Sequence, residues 1–109
     1  MNYSVIYSSD FEKQLKQLSK KYKSLANDLL QLVEELEQEP FIGKSIGGNC
    51  FKIRLAIKSK GKGKSGGARV ITYVLVTEKE IYLLMIYDKS ELSSVSDKEV
   101  KEAVKRIRK

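Results

Sequence analysis

The chain has 109 residues, 41% of them apolar, with 21 Lys plus Arg against 14 Asp plus Glu for a net charge of +7. That length suits one compact domain over residues 1–109, and the apolar share argues against both intrinsic disorder and a membrane-spanning chain. With no histidine and a single cysteine, Cys50, composition excludes His-based metal sites, Ser-His-Asp triads, Cys-His dyads and an internal disulfide.

Residues 3–7, YSVIY, are aromatic and β-branched and predict a first strand. Ser9 and Glu12 have capping-box spacing, so a helix is expected from about Asp10, with Phe11, Leu15, Leu18 and Tyr22 on one face. Lys23 and Ser24 mark a turn into a second helix whose apolar face is expected to be Ala26, Leu29, Leu30, Val33 and Leu36; Pro40 and Gly43 stop it. From Phe51 the period becomes two: Phe51, Ile53, Leu55 and Ile57 alternate with Lys52, Arg54, Ala56 and Lys58, a strand with one apolar and one cationic face. ARVITYVLVT and EIYLLMIY are continuously apolar, as expected of strands covered on both sides, and Glu78 and Lys79 form the turn between them. Ser96 and Glu99 repeat the capping-box spacing before Val100, Ala103, Val104 and Ile107, a final helix. The order β-α-α-β-β-β-α is an α+β fold: a small, mainly antiparallel sheet with the N-terminal helical hairpin packed on one face.

The charge is unevenly placed. Residues 44–77 hold eight basic residues and no acid, and all seven glycines lie between Gly43 and Gly67. Gly63-Lys64-Ser65 looks like the end of a phosphate-binding loop, but Lys58 stands where the first glycine is required and a strand follows where a helix is needed. The acids lie mostly on exposed helix faces, so neither metal nor cofactor is expected. An acid-free basic segment whose cations alternate with a buried face, with Tyr73, Tyr82 and Tyr87 on adjacent strands, points to nucleic acid. Eight cations on one single strand would give a logarithmic salt slope of roughly −6.

RNA can be cut without histidine or metal when its own 2′-hydroxyl attacks the adjacent phosphate. The protein then orients the strand, stabilises phosphoryl charge and moves protons. Arg69 opens the strand after the glycine loop, while Tyr87 and Lys89 close the next one, so the three are expected to converge at one rim of the sheet. The alternative for Tyr87 is a cap on the core with its hydroxyl in water.

The segment Lys52-Ile53-Arg54-Leu55-Ala56, the KGKGKSGGARVITYV that follows and the downstream IYLLMIYDKSE resemble the RelE/ParE toxin superfamily, and more closely its HigB-type toxins. The resemblance spans nearly the whole chain; Phe51 stands where such toxins often carry another basic residue. It implies a ribosome-dependent mRNA interferase, neutralised by a cognate antitoxin with a helix-turn-helix domain (HigA-like). It further implies that Arg69 stabilises the scissile phosphate, that Tyr87 transfers a proton or stacks on a base, and that Lys89 supports it. Lys52, Arg54, Lys58, Lys60, Lys62 and Lys64, with Tyr73, would hold messenger and ribosomal RNA. A cytoplasmic location without membrane contact is expected, since MNYSVIYSSD has no basic start or apolar run of signal-peptide length. A ParE-like inhibitor of DNA gyrase and a non-catalytic RNA-binding module are the alternatives.

Overall fold

The computed structural model describes residues 2–61, 63 and 66–107. Its elements are β1 (Ser4–Tyr7), α1 (Ser9–Lys21), α2 (Leu25–Gln38), β2 (Lys44–Gly47), β3 (Cys50–Leu55), β4 (Ala68–Leu75), β5 (Glu80–Asp88) and α3 (Asp97–Ile107). They build one sheet in the order β1-β5-β4-β3-β2. Only β1 runs parallel to its neighbour, β5; the other pairs are antiparallel. The expected α+β fold holds, with one strand added. β2 folds back on β3 through Gly48 and Asn49, whose φ angles of 59° and 62° make the left-handed pair that a tight hairpin turn requires.

The helix caps explain where the helices begin. Ser8, not Ser9, caps α1: its hydroxyl oxygen accepts from the Phe11 N–H at 3.1 Å and its proton goes to the Leu84 carbonyl at 3.2 Å, tying the cap to β5. At α3 the expected capping box forms, with the Glu99 N–H donating to the Ser96 hydroxyl at 3.1 Å and the Ser96 N–H donating to the Glu99 carboxylate at 3.0 Å.

One sheet face is buried under α1 and α2, where Phe11, Leu18, Leu25, Leu29, Leu32 and Leu36 meet Ile53, Leu55, Val70, Val74, Ile81 and Leu83. The other face carries Cys50, Ile71, Tyr73, Leu84, Met85 and Tyr87, packed with Val100 and Ala103 of α3. Covering on both sides is why β4 and β5 read as unbroken apolar runs. A register shift beside Ile71 and Thr72 leaves one extra residue on β5, so Leu84 and Met85 both join the α3-side cluster. The buried stripe of α2 is Leu25, Leu29, Leu32 and Leu36, rotated from the expected one: Ala26 is exposed and Leu30 is 56% exposed. Both stripes contain Leu29 and Leu36, so periodicity alone does not separate them. Among the described residues, no helix is long and apolar enough to cross a membrane.

The two stripes make opposite demands. Leu32→Ala is expected to cost about 2–5 kcal/mol, the usual range for a buried leucine, whereas Leu30→Ala should stay within about 0.5 kcal/mol. Urea unfolding of both variants measures the difference; equal losses would contradict the observed rotation of α2.

Candidate active site

Strand register assembles the site. Arg54 pairs with Arg69 across β3 and β4, and Arg69 pairs with Tyr87 across β4 and β5, so the three stand in one row. Directly opposed side chains in an antiparallel sheet share a face. The neighbouring row brings Lys44 opposite Lys52. Arg54 is exposed and Lys52 half-buried, while Arg69 and Tyr87 are only 6% and 8% exposed. A groove of about 710 Å³ runs along the β3 side of the sheet, and Lys44, Lys52, Arg54, Lys58, Arg69 and Lys89 all line it. Gly67 sets the approach of β4 to β3: a Cβ there would lie 2.2 Å from the Leu55 carbonyl oxygen, so only glycine lets Arg69 reach its place.

Tyr87 lies among apolar side chains, and its buried hydroxyl has no hydrogen-bond partner among the described residues. Burial pushes its pKa up, and the Arg69 guanidinium only partly opposes this. The phenol therefore stays neutral and keeps a proton it can give. An unpartnered buried hydroxyl costs about 1–3 kcal/mol, which an oxygen entering the site would recover. Lys89 lies two residues further on: its N–H donates to the Gly67 carbonyl at 3.0 Å and its ammonium to the Ser93 carbonyl at 3.2 Å.

Beneath this row lies a fully enclosed carboxylate. Asp88 takes Lys60 Nζ at 2.6 Å in an ion pair whose side chains are 0% and 10% exposed respectively. It also accepts the Tyr22 hydroxyl at 2.6 Å, the Ser90 hydroxyl at 2.7 Å and the Ser90 N–H at 3.0 Å. Burial alone would raise the Asp88 pKa, but the hydrogen bonds from Lys60, Tyr22 and Ser90 outweigh it and hold the carboxyl well below the usual range. A second clamp lies nearby: the Lys58 N–H donates to buried Asp28 at 3.0 Å, and the Ser59 N–H to the Ser24 hydroxyl at 2.8 Å. The turn before the glycine loop is thus fastened to α2 on one side and to the end of β5 on the other.

Two expected RNA contacts are corrected by these positions. Lys60 is committed to Asp88 and to Ser90, 2.9 Å away, and lies 5.3 Å above the Tyr22 ring, so its charge is consumed inside the fold. Tyr73 is 5% exposed and packs against Tyr82 in the α3-side cluster, which leaves no ring face for a base. Tyr82 gives its hydroxyl proton to Glu80 at 2.9 Å. Lys52, Arg54, Lys58, Arg69 and Lys89 do gather at the groove, while Lys62 and Lys64 lie outside the described residues. Sequence reasoning missed Lys44 as a site residue because it missed β2, and missed Asp88 because a lone acid beside two candidate site residues carries no pattern. Among the described residues, no three acids or cysteines gather in a way that could hold a metal ion.

Residues 8–109 match the family described as the RelE toxin of the RelE/RelB toxin-antitoxin system. Three solved structures are similar in fold. A doubly arginine-substituted E. coli toxin RelE in the free state is 22% identical, with a TM-score of 0.63 over 98% of this chain and 99% of that one. The same variant bound to a peptide of the antitoxin RelB is 18% identical, with a TM-score of 0.59 over 94% and 95% of the two chains. A RelBE-type toxin-antitoxin complex from Mycobacterium tuberculosis is 16% identical, with a TM-score of 0.59 over 81% of this chain and 99% of that one.

The enclosed carboxylate predicts a pH signature. A carboxyl with a folded pKa below its unfolded value of about 3.9 contributes stability that is complete above that pH and is lost as the pH falls through the folded value. Asp88→Asn should therefore cost about 3 kcal/mol at pH 7, because it leaves the Lys60 ammonium buried without its counter-charge. The gap to the parent protein should narrow as the pH falls below about 4. Urea unfolding at pH 7 and pH 3 reads both; a gap of the same size at the two pH values would contradict the assignment.

Proposed function

The chain belongs to the RelE toxin family, and from that premise we propose that it is a HigB-type mRNA interferase: a metal-independent endoribonuclease that enters the ribosomal decoding site and cuts messenger RNA. The observation that carries this reading is the Arg54-Arg69-Tyr87 row, two guanidinium groups aligned with a neutral phenol whose buried hydroxyl has no partner among the described residues. Guanidinium forks fit phosphate oxygens, and Arg69 is held by its strand and by Gly67 before any substrate arrives.

The reaction assigns each group one task. The RNA 2′-hydroxyl oxygen bonds to the adjacent phosphorus as its proton passes to a solvent water, while Arg69 and Arg54 take up the added charge on the phosphoryl oxygens. The bond to the 5′-oxygen breaks, and that oxygen takes a proton from the Tyr87 phenol, leaving a 2′,3′-cyclic phosphate and a 5′-hydroxyl. Lys89 supports the site as a further cation, and Lys44, Lys52 and Lys58 hold the strand. Six cations line the groove; if each neutralises one phosphate, the logarithmic salt slope of binding is roughly −4. The eight-cation figure included Lys60, now withdrawn, and Lys62 and Lys64, which lie outside the described residues, and did not include Lys89.

The cognate antitoxin, on this reading a HigA-like helix-turn-helix protein, masks the basic groove with an acidic or apolar segment. The pair acts in the cytoplasm, with the whole chain serving as one toxin domain.

Expression of the protein without an antitoxin should arrest growth and leave cleaved transcripts. Tyr87→Phe removes only a hydroxyl that has no partner among the described residues, so folding should survive while cleavage falls by about 10²-fold. Arg69→Ala should cost about 10²–10³-fold. Growth curves and transcript end-mapping measure both. Full toxicity in both variants would overturn the site, and a DNA-damage response with intact transcripts would favour a ParE-like activity.

A further inference from the structure

The groove has a second wall that the cleavage reaction does not use. Gln31 and Glu35 of α2 line it together with the cations of β3 and the turn that follows. They are four residues apart, so their side chains stand side by side on one helix face, roughly 6 Å apart at Cβ. Both are exposed. Among the described residues Glu35 forms no ion pair, although Lys52, Arg54 and Lys58 line the same groove. The two walls are held at a distance that a direct salt bridge does not close, and half-buried Ile42 adds apolar surface to the groove.

A ligand that complements both walls carries negative charge on one side and hydrogen-bond donors on the other. A nucleotide does so: its phosphate meets the cations, and the exocyclic amine of adenine, cytosine or guanine meets a carboxylate that can only accept. Uracil has no exocyclic amine, and its one donor on that edge, N3–H, lies between two carbonyl oxygens that a carboxylate repels. Gln31 adds one acceptor and two donors beside Glu35, enough to pair with a neighbouring ring nitrogen. Unpaired bases are read on these edges when an RNA strand is splayed out.

We infer that Gln31 and Glu35 form a base-reading site beside the cleavage row, which selects an amino-bearing base over uracil in the bound RNA strand. This rests on the RNA-cleaving reading above and adds a specificity that reading does not contain. Neither residue takes part in the cleavage steps, and both sit on an exposed helix face, so replacing them leaves the core intact.

Fluorescence anisotropy of the full chain with labelled oligo(A), oligo(C) and oligo(U) of equal length, at one fixed salt concentration, tests the inference. The parent protein should bind oligo(A) and oligo(C) about tenfold more tightly than oligo(U), within the range of one good base contact. Glu35→Gln and Gln31→Ala should bring that ratio towards one, whereas Arg54→Ala should weaken all three oligonucleotides alike. Equal binding of the three by the parent protein, or an unchanged ratio in a folded Glu35→Gln variant, would overturn the inference while leaving the RNA reading standing. Failure to bind any of the oligonucleotides would overturn both.

Discussion

The Asp88 carboxylate, enclosed by Lys60, Tyr22 and Ser90, is the constraint on which the arrangement of the site depends. It joins the end of α1, the turn before the glycine loop and the end of β5, three segments distant in sequence. A buried charge that loses its partner costs several kcal/mol, so these segments share one geometry. Tyr87 and Lys89 flank Asp88 in the chain, and the Lys89 N–H reaches back to Gly67, two residues before Arg69. The pair that fixes the loop base thus sits beside Tyr87 and, through the Lys89–Gly67 bond, beside Arg69 in the candidate catalytic row.

On the proposed reading, that row lets a chain without histidine carry out phosphoryl chemistry. RNA would supply the nucleophile, leaving charge stabilisation and proton delivery to the protein. Arg54 and Arg69, aligned by strand register, would meet the first need, and Tyr87, whose phenol burial keeps protonated, would meet the second. Concentrating cations at one groove costs folding stability through mutual repulsion, and Glu35 stands across the groove from them.

Much of this was readable from local pattern. Strong alternation located β3, unbroken apolar runs located β4 and β5, and the Ser96-Glu99 spacing located the start of α3. The failures share a cause, since each turns on tertiary contacts that spacing does not encode. Leu30 and Leu32 fit helical stripes equally well, and only docking on the sheet buries one and exposes the other. Ser8 wins the α1 cap from Ser9 because it also bonds the Leu84 carbonyl of β5. β2 escaped because Lys44-Ser45-Ile46-Gly47 is too short and polar to read as a strand, and pairing to β3 makes it one. At the site, strand ends placed Arg69, Tyr87 and Lys89 near one rim. Lys60 and Tyr73 were read by residue type as surface groups, whereas a buried counter-ion and a second core claim them.

The central claim is that this basic row cuts RNA with a nucleophile the substrate supplies. Its most direct test is a messenger carrying a single 2′-deoxynucleotide at the mapped cleavage position, presented to the purified chain on programmed ribosomes. The account predicts that cleavage disappears there, while the all-ribose messenger yields a 2′,3′-cyclic phosphate and a 5′-hydroxyl. Undiminished cutting at the deoxy position would contradict it.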